Sequence, residues 1–230
     1  MSVIQNLNRV RQRIESAAHA CGRRSSDIEL IAVSKSQPAA ALRQAYQAGQ
    51  RLFGESYLQE ALVKIAALAD CDIEWHFIGP IQSNKTRPIA EHFVWVHGID
   101  RIKTARRLSE QRPLALAPLQ VCLQVNISQE ASKSGAPPEA VLRLAHEVVA
   151  LPRLTLRGLM AIPSASDDHY EQRRQFRMLR HLQQQLIRDG LSLDTLSMGM
   201  SDDLEAAIAE GATMVRIGTA IFGERTDSEG

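Results

Sequence analysis

Short apolar runs alternate with longer amphipathic stretches along the whole 230-residue chain. Val3, Ile4, Leu7, Val10, Ile14 and Ala17 are apolar at the 3.6-residue spacing of one helix face, which predicts a leading helix over 3–20. Runs rich in β-branched and aliphatic residues predict strands at 28–34, 51–54, 74–78, 93–97, 120–127, 154–160, 194–197 and 213–217. Amphipathic patterns between them predict helices at 39–48, 56–68, 84–91, 101–110, 137–150, 169–188 and 202–209. Eight strands, each mostly followed by a helix, point to an α/β protein built as a single (β/α)8 TIM barrel with a leading N-terminal helix. An open doubly wound sheet is the alternative, but no Gly-x-Gly-x-x-Gly follows the first strand to support it. No linker, repeat or low-complexity segment divides the chain. One barrel domain is therefore expected over 1–225, with a frayed tail at 226–230.

Composition narrows the partners. Lys plus Arg (27) nearly balances Asp plus Glu (26), so there is no electrostatic case for nucleic acid or an anionic membrane. Cys21, Cys71 and Cys122 are widely spaced without a Cys-x-x-Cys pair, which reads as reduced structural thiols and neither a metal site nor a disulfide framework. The N-terminus has no basic and apolar leader pattern, and no apolar stretch approaches the roughly 18 residues needed to span a bilayer. A cytoplasmic protein is expected, and the lack of an exposed apolar run suggests a monomer.

In a barrel, chemistry collects at the C-terminal ends of the strands. Reading only those ends gives Lys35, Gly54-Glu55-Ser56, His76 with Gly79-Pro80, His97, Asn126, Met160, Ser197-Met198-Gly199 and Arg216-Ile217-Gly218-Thr219. Each has a plain structural reading: turn glycines, core histidines, a surface lysine. Lys35 nevertheless closes the apolar run 28–34, where desolvation lowers an amine's pKa and makes it a nucleophile toward carbonyls. Gly218-Thr219 follow the last strand, and a glycine with free helix-start N–H groups suits a phosphate. After the seventh strand, Asp202 and Glu205 fit an Asp-x-x-Glu capping pair that leaves the Ser201 hydroxyl to face an anion, unless Ser201 is itself the N-cap. Arg216 lies in an apolar strand and needs a buried partner: a carboxylate, a phosphate or a heteroaromatic nitrogen. A nucleophilic lysine, a phosphate cradle and a cation facing a ring together describe a site for pyridoxal 5′-phosphate (PLP).

Longer segments carry a resemblance that covers essentially the whole chain. They are Ala32-Val33-Ser34-Lys35, Phe53-Gly54-Glu55-Ser56-Tyr57-Leu58-Gln59-Glu60 and Trp75-His76-Phe77-Ile78-Gly79-Pro80-Ile81-Gln82-Ser83-Asn84-Lys85. Val125-Asn126-Ile127-Ser128, Lys133-Ser134-Gly135, Arg157-Gly158-Leu159-Met160-Ala161-Ile162 and the stretches 197–205 and 214–223 follow in order. Together they resemble the pyridoxal phosphate homeostasis protein family. The resemblance implies a barrel like the alanine racemase N-terminal domain, with PLP held as an aldimine on Lys35 for vitamin B6 buffering or delivery. It matches Ser201, Gly218 and Thr219 to the phosphate cradle and Arg216 to the pyridine nitrogen. It also matches Asn126 and Met160 to strand ends that line the same pocket in relatives, with His76 nearby. Ser56 stands where the family usually carries Asn, a shorter side chain that can still hydrogen-bond.

The competing class is a PLP-dependent amino-acid racemase of low activity. Two-base racemisation needs an acid/base group on each face of the ring, and the chain ends soon after the phosphate loop, without the additional domain that supplies one in alanine racemases. An arginine at the pyridine nitrogen also weakens the electron sink. A Schiff-base aldolase would use Lys35 and the cradle but leave Arg216 idle. The expected partners are PLP and apo PLP-dependent enzymes as recipients. Lys85 and Lys133 are candidates to receive the cofactor, against a reading as solvated loop lysines.

Overall fold

Eight parallel strands close into a barrel in chain order, with β1 beside β8. The computed structural model describes residues 2–128, 130 and 133–223, so the tail expected at 226–230 lies outside the described residues. The order is α1 (Val3–Ala20), β1 (Glu29–Val33), α2 (Ala39–Gln47), β2 (Leu52–Glu55), α3 (Leu58–Ala67), β3 (Glu74–Phe77), α4 (Thr86–His92), β4 (Trp95–Ile99) and α5 (Ile102–Gln111). It continues with β5 (Leu119–Gln124), α6 (Pro138–Val149), β6 (Leu154–Met160), α7 (His169–Arg188), β7 (Thr195–Ser197), α8 (Leu204–Ala209), β8 (Met214–Ile217) and α9 (Thr219–Phe222). The (β/α)8 barrel with a leading helix is thus the fold.

α1 starts on a capping box. Ser2 Oγ accepts from the Gln5 amide and the Gln5 side chain accepts from the Ser2 amide, at 3.2 and 3.1 Å. Its buried stripe, Leu7, Val10, Ile14, Ala17 and Ala18, packs on α2, α8 and α9, the side of the barrel where the chain closes. The main core lies between barrel and helices; Phe77 and Phe93, for example, meet edge-on at 5.2 Å. The barrel lumen holds a smaller apolar cluster of Ile31, Trp95, Cys122, Met160 and Met214, and burial pushes the Cys122 thiol up to about 12.

Most element boundaries move by one or two residues from the sequence expectation, and three of the shifts are informative. β4 runs two residues later than 93–97, because Phe93 closes α4 by donating its N–H to the Ile89 carbonyl. β5 stops at Gln124: the Val125 amide still donates to the Met160 carbonyl at the end of β6, and beyond it the pairing passes to Ala136, which donates to the Gln124 carbonyl and accepts the Asn126 amide. α8 begins at Leu204, two residues after the expected 202.

Candidate functional site

Lys35 sits in the turn that leaves β1. The Gln37 amide donates to the Ser34 carbonyl at 3.0 Å, and Ser36 is left-handed at φ 61°, a conformation that disfavours any side chain. Glu60 compensates by accepting the Ser36 amide at 2.6 Å. Behind the turn lies a buried charge cluster. Lys64 Nζ donates to the Ser34 carbonyl at 2.6 Å, to Glu55 at 2.8 Å and to Glu60, while Ser34 Oγ donates to Glu55 at 2.6 Å. Burial raises the Glu55 carboxyl above its ordinary range, and the Lys64 ammonium opposes that shift. The geometry of Lys35 therefore depends on ion pairing between β2 and α3.

The end expected to cradle a phosphate is built by β7, β8 and α1 together. Gly199 has φ +98°, and a Cβ there would stand 2.5 Å from that of Ala207, so the chain reverses tightly before Ser201. The capping pair expected from Asp202 and Glu205 is not formed. Asp203 holds this turn instead, accepting the Met200 amide at 2.6 Å, and Glu205 turns away to pair with Arg13 at 3.0 Å. The difference arises because an Arg on the leading helix competes for Glu205, an interaction 192 residues apart in sequence. Arg13 also donates to the Ser201 carbonyl at 3.0 Å, and Asn6 on the same helix donates to the Ile221 carbonyl at 3.0 Å. In α9, the Ile221 and Phe222 amides bond back to Gly218, so those of Thr219 and Ala220 precede the first intrahelical bond. A Cβ on Gly218 would lie 3.2 Å from the Val33 carbonyl, which shows how closely this turn approaches the Lys35 strand.

Arg216 is 4 % exposed. Its Nη1 donates to both the carbonyl and the hydroxyl of Ser197 at 2.6 Å, and its Nη2 to the Ala161 carbonyl at 2.9 Å. Burial lowers its pKa to about 10.

Lys35, Ser56, Ser201, Arg216, Gly218 and Thr219 line one hollow of about 550 Å³. Arg13, Asp202 and the apolar walls Val33, Ile78, Ile162 and Met200 line it too. The other three candidates sit elsewhere. Met160 is buried among the lumen side chains, and His76 is buried and stacked on Trp95 at 5.6 Å. Asn126 braces its own loop by donating to the Glu130 and Lys133 carbonyls. Lys133 contacts Ser164 at 3.2 Å and lines a neighbouring hollow that shares Ile162, Met200 and Asp202 with the first. Lys85 ends a short 3-10 turn and lines neither.

Sequence reading named Glu55 only as part of the strand end Gly54-Glu55-Ser56, and missed Arg13, Glu60 and Lys64 as parts of the site. A signal existed for two of them: Glu60 and Lys64 are the charged pair, spaced i, i+4, of a mostly apolar helix. Arg13 carried none, being one of several polar residues on a surface helix.

Residues 5–226 match the family model of the alanine racemase N-terminal domain. The pyridoxal phosphate homeostasis protein of Pseudomonas aeruginosa is 62% identical over 224 residues, which cover 97% of this chain and 96% of that protein. Its counterpart from Escherichia coli K12 is 52% identical over 235 residues, covering 99% and 98%. Among solved structures, PipY of Synechococcus elongatus with PLP bound superposes with a TM-score of 0.85 at 36% identity, over 96% of this chain and 100% of that one. Alanine racemase of Corynebacterium glutamicum, at 18% identity and a TM-score of 0.72, shares the fold over 97% of this chain and 64% of its own.

Proposed function

The chain belongs to the pyridoxal phosphate homeostasis protein family, and from that premise we propose that it binds PLP reversibly in the hollow at the C-terminal mouth of the barrel. It holds the cofactor as a Schiff base on Lys35 and serves intracellular vitamin B6 homeostasis by buffering or delivery. The observation that carries the reading is the convergence of an amine, a glycine-opened helix start and a buried guanidinium on one hollow. That donor set suits the group: an amine for the aldehyde, amides and a hydroxyl for the phosphate, and a cation for the ring nitrogen.

When bound, PLP supplies an aldehyde that an amine captures reversibly and a ring able to accept electron density. The chain's own residues do the rest. Lys64 and Glu60 fix the turn that presents Lys35. Ser201 and the Thr219 and Ala220 amides grip the phosphate, with Arg13 bracing the Ser201 loop and lending positive charge. Arg216 presents its remaining N–H groups to the pyridine nitrogen, and Ser56 offers a short polar contact at the rim. Asn126, Met160 and His76 support this site through loop and lumen packing, without lining it.

A carrier is favoured over a racemase by the ionisable lining. Besides Lys35 it consists, among the described residues, of Arg13, Asp202 and Arg216. Tyr46, Tyr57 and Tyr170 are not part of it. A guanidinium facing the ring nitrogen leaves that nitrogen unprotonated and the electron sink weak. We read the protein as cytoplasmic; no described helix is long and apolar enough to cross a membrane.

The test is an absorption titration with PLP, followed by borohydride reduction and peptide mapping. A Schiff-base band and a pyridoxyl group on Lys35 support the reading. No band, or label scattered over surface lysines, discards it and brings forward a Schiff-base aldolase. Turnover of L-alanine or L-serine to the D-form in chiral chromatography would establish the racemase instead.

A further inference from the structure

A continuous chain of buried polar groups runs through the lumen from Arg216 to the opposite mouth of the barrel. Strand periodicity places it there: Glu74 and His76, Trp95 and His97, and Met214 and Arg216 are each two residues apart and share a face. Arg216 Nη1 donates to Ser197 Oγ at 2.6 Å. Ser197 Oγ lies 2.8 Å from His97 Nδ1, and His97 Nε2 lies 3.0 Å from His76 Nδ1. His76 Nε2 in turn lies 3.2 Å from Glu74 Oε1. Ser197, His76 and His97 are fully buried, whereas the Glu74 side chain is 41 % exposed. Glu74 faces a second hollow, at the N-terminal mouth, lined also by Trp95, Arg157 and Asp194.

The proton positions follow from donor counting. An ionised Glu74 only accepts, so His76 must carry its proton on Nε2 and accept at Nδ1. His97 then donates from Nε2 and accepts at Nδ1, which the Ser197 hydroxyl satisfies. That leaves Ser197 Oγ a lone pair for Arg216. Burial holds both imidazoles neutral, as this scheme requires, and the Arg216 charge adds to the effect on His97. The reverse direction would need a proton on Glu74, whereas the hydrogen bond from His76 keeps that carboxyl below its ordinary range.

We propose that Glu74, His76, His97 and Ser197 form a one-directional hydrogen-bond relay that sets the position of Arg216 and couples it to the charge at the far mouth of the barrel. The relay rests on the PLP reading only for its consequence, since Arg216 is the group assigned to the ring nitrogen. The four residues are positioning residues, acting through Arg216. Among the described residues, the other charged groups at this end are Arg157, which stacks on Trp95 at 5.1 Å, and Asp27, Glu29 and Asp194, which lie at the same mouth as Glu74.

The relay is tested first in PLP-free, 15N-labelled protein by long-range correlation spectra of the imidazoles. Both His76 and His97 are expected as Nε2–H tautomers. Glu74→Lys, which can only donate, should flip both to Nδ1–H, while Glu74→Gln, which can still accept, should leave them unchanged. In absorption titrations, Glu74→Lys and Ser197→Ala should weaken PLP binding about three- to tenfold, the effect of one lost hydrogen bond, with Glu74→Gln near wild type. A wild-type His97 protonated on Nδ1 overturns the relay by itself, and so does a folded Glu74→Lys variant with unchanged tautomers. Failure of wild-type protein to bind PLP would overturn the functional reading alone, because the tautomers are read without cofactor.

Discussion

Replacing Lys64 by Met removes the cation from a cluster whose other members stay buried. The Lys64 side chain is 5 % exposed, and Glu55, which it contacts at 2.8 Å, is fully buried. Without Lys64, Glu55 keeps only the Ser34 hydroxyl, because its Oε2 already has no protein partner. Leaving one member of a buried pair uncompensated costs about 3–5 kcal/mol, a large share of the roughly 5–15 kcal/mol that stabilises a domain. Removing both charges, in Lys64→Met/Glu55→Gln, should recover most of that loss. The sign of the pH dependence follows from the raised Glu55 pKa. Its ionisation costs nothing below the unfolded value of 4.5 and destabilises increasingly as pH rises through the folded value. Deleting Lys64 raises the folded value further, so the single variant's deficit is greatest near neutral pH and shrinks as pH falls toward the unfolded value. Urea unfolding followed by the fluorescence of Trp75 and Trp95, at both ends of that range, measures it. A deficit below about 1 kcal/mol at neutral pH, or a double variant no more stable than the single, would refute the reasoning. The same variant should also bind PLP more weakly, because Lys64 pins the Ser34 carbonyl beneath Lys35.

Arg13→Ala releases the Ser201 carbonyl and removes a cation from the hollow; we expect PLP affinity to fall about three- to tenfold in an absorption titration, with the deficit widening at low salt. Gly158→Ala would put a Cβ 1.8 Å from the Thr195 carbonyl oxygen, backbone against backbone, and should cost about 3 kcal/mol or more in thermal unfolding or prevent folding. His97, held well below 6.5, contributes stability that is complete above 6.5 and lost as pH falls beneath it, so His97→Asn should flatten the acid limb of a stability–pH curve. An unaltered limb would place the acid sensitivity in other groups.

The barrel was legible because each layer writes its own period into the sequence. β6 and α7 coincide with their expected bounds, 154–160 and 169–188, since Leu154, Leu156, Leu159 and Met160 and the stripe around Phe176 and Leu179 are long, regular patterns. The strand ends also disclosed the lining residues, as parallel barrels gather them at one mouth. Strand ends could not distinguish pocket from lumen. His76 and Met160 are as close to the end of a strand as Arg216, yet side-chain direction alternates and the local twist decides which groups reach the mouth. Long-range competition was equally hidden. Asp202 and Glu205 have the spacing of a cap, and only the docking of α1 makes Arg13 the partner that Glu205 takes.

The three functional ends are held by three separate devices, which bears on what the site can do. Lys35 is fixed from outside the barrel by Glu55, Glu60 and Lys64, Arg216 from within it by Ser197 and His97, and the Ser201 loop from the leading helix by Arg13. On the proposed reading, each contact to a bound cofactor is braced by its own set of side chains, so little rearrangement is required before an aldehyde, a phosphate and a ring are met at once. A site that catalysed proton exchange would in addition need an acid/base group poised over the far face of the ring. On the proposed reading, the side chains lining the hollow serve grip and placement, which suits reversible storage.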